Sequence, residues 1–447
     1  MSATPLRNKP ILLALVLITL FGAFLRVNAA LHTVVEYPLR ADAGGYFSYA
    51  YNLRHFGVYS RDRLFASEEK VKPRPDAMGS PGYPIALLPF AGEKPNLKTI
   101  LDITLMQALL GTLMIPLTFL LGRALLPAAW ALLPALLVAI SPQLIIAGTF
   151  VLSETLFSFL LLAALVALVL QYRKPERWAH AIASGALLGM AALTRPTLQY
   201  FLPCVLLVLI PMLPKELRWR QGISLCVGFA MIFVPWLLRN QWTLGMASDP
   251  TLAISTILHG HYPDFMYRNM PESLGYPYRF DPRAQEISAN MATLLRELFA
   301  RFTEDPATYL RWYVFGKPIA FFSWSDAAAA GDIFTYPTMT SPYYDKSIFI
   351  FTKEFMRVSH WIWVAAALLG IFALLFSRDA HILNRRGRFA GLLLSVVVLY
   401  FVAVHVVGFP IARYNIPVLP IIYLLSAYLF FLLVDYFFFV PRRMAAH

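Results

Sequence analysis

Long apolar runs dominate the chain. Most are about 17 to 25 residues long, the length that an α-helix needs to cross a bilayer. Hydrophobic residues make up 58% of the chain, aromatic residues 15%, and the mean hydropathy is +0.60. These values exclude an ordinary soluble protein and intrinsic disorder, and the runs are too long for the alternating strands of an outer-membrane barrel. The sequence therefore predicts a single all-α integral membrane domain over residues 1–447.

The apolar runs predict about ten transmembrane helices, of which the fifth and sixth are short. No small-residue cleavage site follows the first run, so residues 11–30 are expected to remain as a retained span. The predicted spans cover residues 11–30, 99–121, 125–146, 149–171, 180–194, 198–213, 222–239, 357–377, 389–408 and 414–438.

The net charge of +13 is mostly explained by topology. With the N-terminus inside, the termini and short connections on that face carry 15 lysine and arginine residues, whereas residues 31–97 mix eight basic with seven acidic residues. This asymmetry satisfies the positive-inside rule. Both termini are therefore expected in the cytoplasm, and nucleic acid is not expected as a partner.

Two long polar segments, residues 31–97 and 240–356, lie outside the membrane on this topology. The first contains a predicted short helix over residues 44–56, and apolar residues at helical spacing over 283–302 predict an amphipathic helix in the second. Residues 308–324 are also apolar. A crossing there would place Arg311 and Lys317 at membrane depth, so this stretch is predicted as an interfacial helix. The chemistry is therefore expected on the external face.

The first external segment begins with a candidate catalytic carboxylate. Asp42 follows the first span and stands beside Gly44 and Gly45, at the start of the predicted helix. A carboxylate at the membrane surface is able to accept a proton from an attacking hydroxyl, but an aspartate at a helix start also serves as a cap. Further on, SPGYP (80–84) predicts a rigid turn that directs Tyr83 towards the membrane surface.

Ionisable side chains also stand at the external ends of later spans. Glu154 lies in the first turn of the fourth span, where a carboxylate either faces a cavity or compensates the helix dipole. The guanidinium group suits bidentate binding of phosphate oxygens, although a single arginine also snorkels to lipid headgroups. The arginines at external span ends are Arg195, Arg239 and Arg413.

Histidine and cysteine give weak signals. His259 and His261 lie on the external side, but their HGH sequence lacks the further ligands that define a metal site. Cys204 and Cys226 both stand inside apolar runs, so neither a disulfide framework nor a cysteine metal site is expected.

Several motifs follow one another in a recognisable order. They are Asp-x-x-x-Tyr (Asp42, Tyr46), a Pro-Gly-Tyr-Pro turn, SETLF, LTRPT, PWLLRN, DPATYLRWYVFGKPIAFFSW and ARYNIPVLPI. Because its motifs occur in this order and on these sides of the membrane, the chain resembles the GT-C superfamily of membrane glycosyltransferases. The resemblance is strongest to the bacterial branch related to protein O-mannosyltransferases and aminoarabinose transferases.

The resemblance implies inverting transfer of a hexosyl or pentosyl group from a polyprenyl-phosphate-linked sugar, at the periplasmic face of the bacterial inner membrane. The acceptor would be a glycolipid, a polysaccharide or a protein. Asp42 would act as base or orient the acceptor, and Arg239 and Arg413, with Arg195, would bind the donor phosphate. The remaining candidates for substrate contacts are Tyr46, Tyr83, Glu154, Tyr414, His259 and His261.

Two positions depart from the family pattern. Ala43 follows Asp42 where many relatives have a second acidic residue, and Ser80 stands where some relatives carry a lysine. These departures leave a divalent metal open as the cofactor. Two other classes of function also stay open from the sequence. A lipid-linked sugar flippase or transporter would place polar groups near the middle of several spans, and a noncatalytic partner in an envelope assembly would tolerate loss of Asp42.

Overall fold

The computed structural model describes residues 9–67, 71–92, 94–376 and 383–438, and nearly all of its regular structure is helical. Apolar residues with strong helix propensity, such as leucine and alanine, fill the long helices of the first half. All helices of this half, long and short, are α1 (Lys9–His32), α2 (Ala41–Phe56), α3 (Gly82–Leu87), α4 (Leu97–Leu125), α5 (Leu132–Ile140), α6 (Pro142–Ala147), α7 (Glu154–Arg173), α8 (Trp178–Thr194), α9 (Leu202–Met212) and α10 (Arg218–Leu244).

The second half begins with short helices and ends with three long ones. A π-helical turn, Trp312–Gly316, joins two of the short helices. The helices are α11 (Thr251–His261), α12 (Ala284–Ile287), α13 (Met291–Glu304), α14 (Pro306–Arg311), α15 (Lys317–Phe321), α16 (Pro342–Asp345), α17 (Ser347–Phe376), α18 (Arg385–Val407) and α19 (Leu419–Phe438).

Seven helices within the described residues are long and apolar enough to cross a membrane, namely α1, α4, α7, α10, α17, α18 and α19. Helices α8 and α9 are apolar but shorter. The predicted all-α membrane fold is confirmed, and the protein is a multi-pass membrane protein. The chain termini that were predicted in the cytoplasm, residues 1–8 and 439–447, lie outside the described residues.

The region predicted as one continuous span over 125–146 is broken. Helix α5 ends at Ile140, and Ser141 adopts an extended backbone (ψ 113°) before Pro142 starts α6. Proline lacks an amide hydrogen and disfavours helical backbone in the preceding residue, which explains the break. Arg26 of α1 donates hydrogen bonds to the carbonyls of Val138 and Ala139, at 2.7 and 3.0 Å. The arginine thereby satisfies carbonyls that the end of α5 leaves unpaired.

The amphipathic stretch predicted over 283–302 forms two helices instead of one. Helix α12 stops at Ile287, and α13 begins after Asn290, whose side chain accepts a hydrogen bond from the amide of Thr293 at 2.9 Å. A residue that caps a new helix in this way interrupts the preceding one.

The apolar stretch 308–324 is a chain of short helical pieces, α14, the π turn and α15. Lys317, which was expected near the membrane interface, is completely buried in the protein. Its ammonium donates to the carbonyls of Val406 and Gly408 at 2.7 and 3.1 Å. Lys317 therefore ties this segment to the end of α18, and the interfacial position of the segment stays a prediction.

The two long polar segments meet at one end of the helical bundle. Strand β1 (Val34–Val35) of the first segment pairs antiparallel with strand β2 (Thr338–Thr340) of the second. The amide of Glu36 extends this contact by donating to the carbonyl of Pro337 at 3.1 Å. The pairing therefore joins two segments that are far apart in the sequence.

Candidate functional site

Asp42 lies in the first turn of α2, and its side chain is 46% exposed. It does not cap the helix, because Arg40 occupies the capping position. Ala41 has a φ of 43°, a left-handed conformation that costs alanine roughly 1–3 kcal/mol and that clusters at functional sites. Asp42 Oδ2 accepts a hydrogen bond from Arg413 Nη1 at 2.9 Å. One side of the carboxylate is thus fixed, while the other stays accessible.

Asp42 belongs to a largely buried ion cluster that also contains Arg413, Glu154 and Arg195. Arg413 also donates through Nε to Oε1 of Glu154, whose side chain is only 1% exposed. Arg195 Nη1 lies 2.9 Å from the same oxygen and forms an ion pair with it, without good hydrogen-bond alignment. Two carboxylates and two guanidinium groups make the cluster formally neutral, as burial requires. Among the described residues Glu154 Oε2 has no hydrogen-bond partner.

The ends of three helical segments bring these charges together. Glu154 is the first residue of α7, Arg195 directly follows α8, and Arg413 lies in the 3-10 turn before α19. The predicted Pro-Gly-Tyr-Pro turn forms the start of α3 and packs against the end of α8. A Cβ atom at Gly82 would lie 2.6 Å from Thr194 Oγ1, so only glycine permits this close approach.

Two tyrosines, Tyr46 of α2 and Tyr83 of α3, lie next to the ion cluster. The ring of Tyr46 packs edge-on against Tyr83 at 5.2 Å, and its hydroxyl lies 3.3 Å from Ser153 Oγ. Tyr83 donates to Gln107 Oε1 at 3.0 Å. Burial raises the pKa of Tyr46 and raises that of Tyr83 well above the usual value. Both hydroxyls therefore stay protonated at neutral pH.

Tyr414 completes the predicted group, because the Arg195 guanidinium lies over its ring at 4.8 Å. Two residues that the sequence reasoning missed also belong here. Tyr336 is buried, which raises the pKa of its hydroxyl, and the charges of Arg413 and Asp42 both act on it. Burial likewise raises the pKa of Asp326, which the charge of Arg413 opposes. The sequence around Asp326 and around Tyr336 carries no recognisable motif.

Arg239 does not contact this ion cluster. Its guanidinium donates to the carbonyls of Asp76 and Tyr59, at 2.8 and 3.2 Å. It also lies over the rings of Tyr59 and Trp236, at 5.5 and 5.2 Å. Within the described ranges no carboxylate forms an ion pair with Arg239, unlike Arg195 and Arg413, although the charge of Asp76 acts on it.

His259 and His261 lie apart from the ion cluster, in the packing of the second polar segment. His259 Nε2 is 2.9 Å from the carbonyl of Gly275, and the ring stacks on Phe409. His261 Nδ1 is 3.2 Å from the hydroxyl of Tyr313. Burial lowers the pKa of His259 to about 4 and that of His261 to about 3, so both are neutral at pH 7. Their assignment to substrate binding stays a prediction without support from these contacts.

No three histidine, cysteine, aspartate or glutamate side chains lie close enough together to hold a metal ion within the part of the chain that the structure describes. The divalent metal that the sequence left open stays a prediction.

Comparison with known proteins identifies the architecture. A family model described as dolichyl-phosphate-mannose-protein mannosyltransferase matches residues 97–238. The oligosaccharyltransferase AglB of Archaeoglobus fulgidus, solved with an inhibitory peptide and a dolichol-phosphate, is 15% identical over 99% of this chain, with a TM-score of 0.55. The chain has the GT-C fold. The apo form of the same archaeal enzyme gives 14% identity over 99% of the chain and a TM-score of 0.57.

The resemblance to the GT-C superfamily predicted from the motifs is thus confirmed at the level of the fold. The chain spans about half of the archaeal enzyme, 52% and 53% of its length in the two structures. ArnT of Cupriavidus metallidurans, solved with undecaprenyl phosphate, is 16% identical over 95% of this chain and 78% of its own. Its TM-score of 0.38 is too low to support the GT-C assignment. No curated protein sequence matches the chain.

Proposed function

We propose that this protein is an inverting glycosyltransferase that moves a sugar from a polyprenyl-phosphate donor to an acceptor hydroxyl. The reaction takes place at the periplasmic face of the bacterial inner membrane. The observation that carries the proposal is the half-exposed carboxylate of Asp42, held by the buried guanidinium of Arg413. The GT-C fold and the mannosyltransferase family model support the same class of reaction.

Asp42 acts as the base of this reaction. The acceptor oxygen forms a bond to the anomeric carbon of the donor sugar while the bond from that carbon to the phosphate oxygen breaks. The acceptor proton passes to Asp42, and the electron pair of the broken bond leaves with the polyprenyl phosphate. Arg413 orients the carboxylate, with one oxygen on the guanidinium and the other towards the acceptor. Such a positioned base contributes roughly 10²- to 10⁴-fold to the rate.

The donor phosphate is bound by arginine. Arg239 is the main candidate, since its hydrogen bonds go to neutral carbonyl groups and no carboxylate among the described residues forms an ion pair with it. Arg413 and Arg195 are the other candidates. Both neutralise Glu154, and their remaining N–H groups are available to a phosphate whose charge increases in the transition state. The leaving phosphate carries its own charge, so stabilising it with cations is more useful than protonating it.

Glu154 and the three tyrosines of the site are proposed to surround the transferred sugar. Glu154 Oε2 is a buried acceptor without a partner among the described residues, and it suits a sugar hydroxyl. Tyr46, Tyr83 and Tyr414 provide ring surfaces beside it. The archaeal enzyme of the same fold was solved with a dolichol-phosphate, a carrier of the polyprenyl-phosphate type proposed for this chain.

The experiment that tests this proposal separates transfer from transport. The purified protein is reconstituted in proteoliposomes with radiolabelled polyprenyl-phosphate mannose, glucose or aminoarabinose, and with lipid extracts as acceptors. We expect the label to leave the polyprenol and appear in a new glycoside. Movement of intact donor across the bilayer without bond cleavage would instead identify a flippase. Absence of both activities, with every donor, would contradict the proposed function.

A further inference from the structure

The second polar segment contains a cleft of about 390 Å³ beside the π turn. This volume lies within the roughly 300–1,000 Å³ of small-molecule sites. Its apolar lining includes Phe265, Phe315, Ile319, Ala320 and Ile411. Its polar lining consists of Asp264, Arg311, Ser323, Ser325 and Asp326. The cleft therefore suits a ligand that has one apolar part and one charged part.

The apolar wall of the cleft lies beside the end of a membrane-spanning helix. Lys317 of this stretch donates to the carbonyls of Val406 and Gly408, at the end of α18. Helix α18 is long and apolar enough to cross a membrane, and the predicted topology places this end on the external side. The exposed apolar residues of the stretch are Leu310 (57%), Val314 (49%), Phe315 (64%) and Ile319 (56%). Such an exposed apolar surface suits contact with lipid chains.

A solvent-exposed ion pair lines the same cleft. Arg311 Nη2 donates to Asp264 Oδ2 at 2.7 Å, and the two side chains are 59% and 40% exposed. Neither side chain forms a second hydrogen bond or ion pair with another described residue. The other N–H groups of the guanidinium and the second oxygen of the carboxylate are thus available to a ligand.

The backbone that carries Asp264 is strained. Asp264 and Phe265 have φ values of 51° and 57°, in the left-handed region that bulky residues rarely adopt. Phe265 is buried, and its ring packs edge-on against Trp312 of the π turn at 5.1 Å. This packing holds Asp264 next to Arg311, 47 positions later in the chain. Strained residues and π turns both occur preferentially at functional sites, so the cleft is a good candidate for a binding site.

We propose that the cleft binds a membrane phospholipid with a phosphoethanolamine headgroup. Arg311 binds the phosphate, Asp264 binds the ammonium group, and an acyl chain lies along Phe315 and Ile319. Asp42 is not among the residues that line the cleft. The inference therefore goes beyond the proposed function and does not depend on sugar transfer.

The charges of the lining select this headgroup. A zwitterion presents one charge to Arg311 and the opposite charge to Asp264. An anionic headgroup would instead place its phosphate near the carboxylates of Asp264 and Asp326 without a cation of its own, and like charges in contact are unfavourable. A quaternary ammonium has no N–H group to donate to Asp264, whereas a primary ammonium has three. Ethanolamine is therefore favoured over both glycerol and choline.

Photolabelling of the full chain tests the site without requiring turnover. The protein is reconstituted in phosphatidylcholine nanodiscs that contain a trace of phosphatidylethanolamine with a diazirine in one acyl chain, and the labelled peptides are mapped by mass spectrometry. We expect labelling of residues 311–323 that unlabelled phosphatidylethanolamine competes and phosphatidylglycerol does not. Labelling confined to other regions would overturn the site. Equal competition by phosphatidylglycerol, or competition by undecaprenyl phosphate alone, would overturn the headgroup assignment.

Variants then test the two parts of the cleft. Asp264→Asn removes the charge that binds the ammonium group, and asparagine tolerates the left-handed backbone. Ala320→Trp fills the cleft. Each variant is expected to reduce labelling of residues 311–323 about ten-fold or more. Asp345→Asn, which also removes one partner of an exposed ion pair, and Ala289→Trp, at an exposed position, are matched controls and should label like the wild type. Wild-type labelling of both cleft variants would overturn the proposal.

Discussion

Replacing Glu154 with glutamine tests whether the buried ion cluster supports the site. Glutamine keeps the shape of the side chain but removes its charge. Glu154 is 1% exposed and pairs with Arg413 and, at 2.9 Å, with Arg195. Breaking a buried ion pair by removing one partner costs roughly 3–5 kcal/mol, because the other charge stays buried without compensation. In the variant Arg413 still forms its ion pair with Asp42. We therefore expect a loss of unfolding free energy at the lower end of this range, about 3 kcal/mol.

The matched variant Asp42→Asn should behave differently. Its side chain is 46% exposed, so its pair with Arg413 is partly screened by solvent and is worth about 0–1 kcal/mol. Both variants are purified in one detergent, and their unfolding free energies are measured by titration into sodium dodecyl sulfate micelles. Equal losses in the two variants, or a larger loss in Asp42→Asn, would refute the distinction between a structural and a catalytic carboxylate.

Three further predictions follow from individual contacts. Arg239→Gln should weaken binding of undecaprenyl phosphate about ten- to hundred-fold and flatten its salt dependence, as measured in nanodiscs; an unchanged affinity would remove Arg239 from the phosphate site. Tyr83→Phe should cost about 1–2 kcal/mol of unfolding free energy, because the oxygen of Gln107 loses its donor, and a neutral result would contradict this contact. His259 and His261 have pKa values of about 4 and 3, below the 6.5 of the unfolded chain, so the unfolded state binds more protons below pH 6.5. The contribution of the two neutral histidines to the unfolding free energy should therefore be complete above pH 6.5 and decrease towards pH 4. Replacing both histidines with glutamine should reduce this decrease. Thermal unfolding midpoints measured between pH 4 and pH 7 check the prediction.

Local sequence signals predicted most of the fold. Length and hydropathy locate the long helices, and Gly57 ends α2 in a left-handed conformation (φ 65°), where the sequence placed the end of that helix. The breaks at Ser141 and Asn290 were missed, although Pro142 gave a signal in the first case. Apolar periodicity continues across both breaks, so the pattern alone does not reveal them.

The candidate site was predictable residue by residue but not as an arrangement. Asp42 and Arg413 were both singled out from the sequence, yet 371 positions separate them, and their contact depends on helix packing that no local motif encodes. Asp326 was missed because a single aspartate in a run of small residues resembles an ordinary turn. The burial of Lys317 was also missed, since it depends on the carbonyls at the end of α18.

The most direct measurement of the central claim is the single-turnover rate of sugar transfer from a bound polyprenyl-phosphate donor, in Asp42→Asn and in the wild type. Asp62→Asn is the matched control, because Asp62 lies in the same polar segment and accepts a hydrogen bond from the Arg74 amide at 2.9 Å. Asp42→Asn is expected to bind the donor normally and to transfer sugar roughly 10²- to 10⁴-fold more slowly, while Asp62→Asn transfers at the wild-type rate. A wild-type transfer rate in Asp42→Asn would contradict the role of this carboxylate as the base.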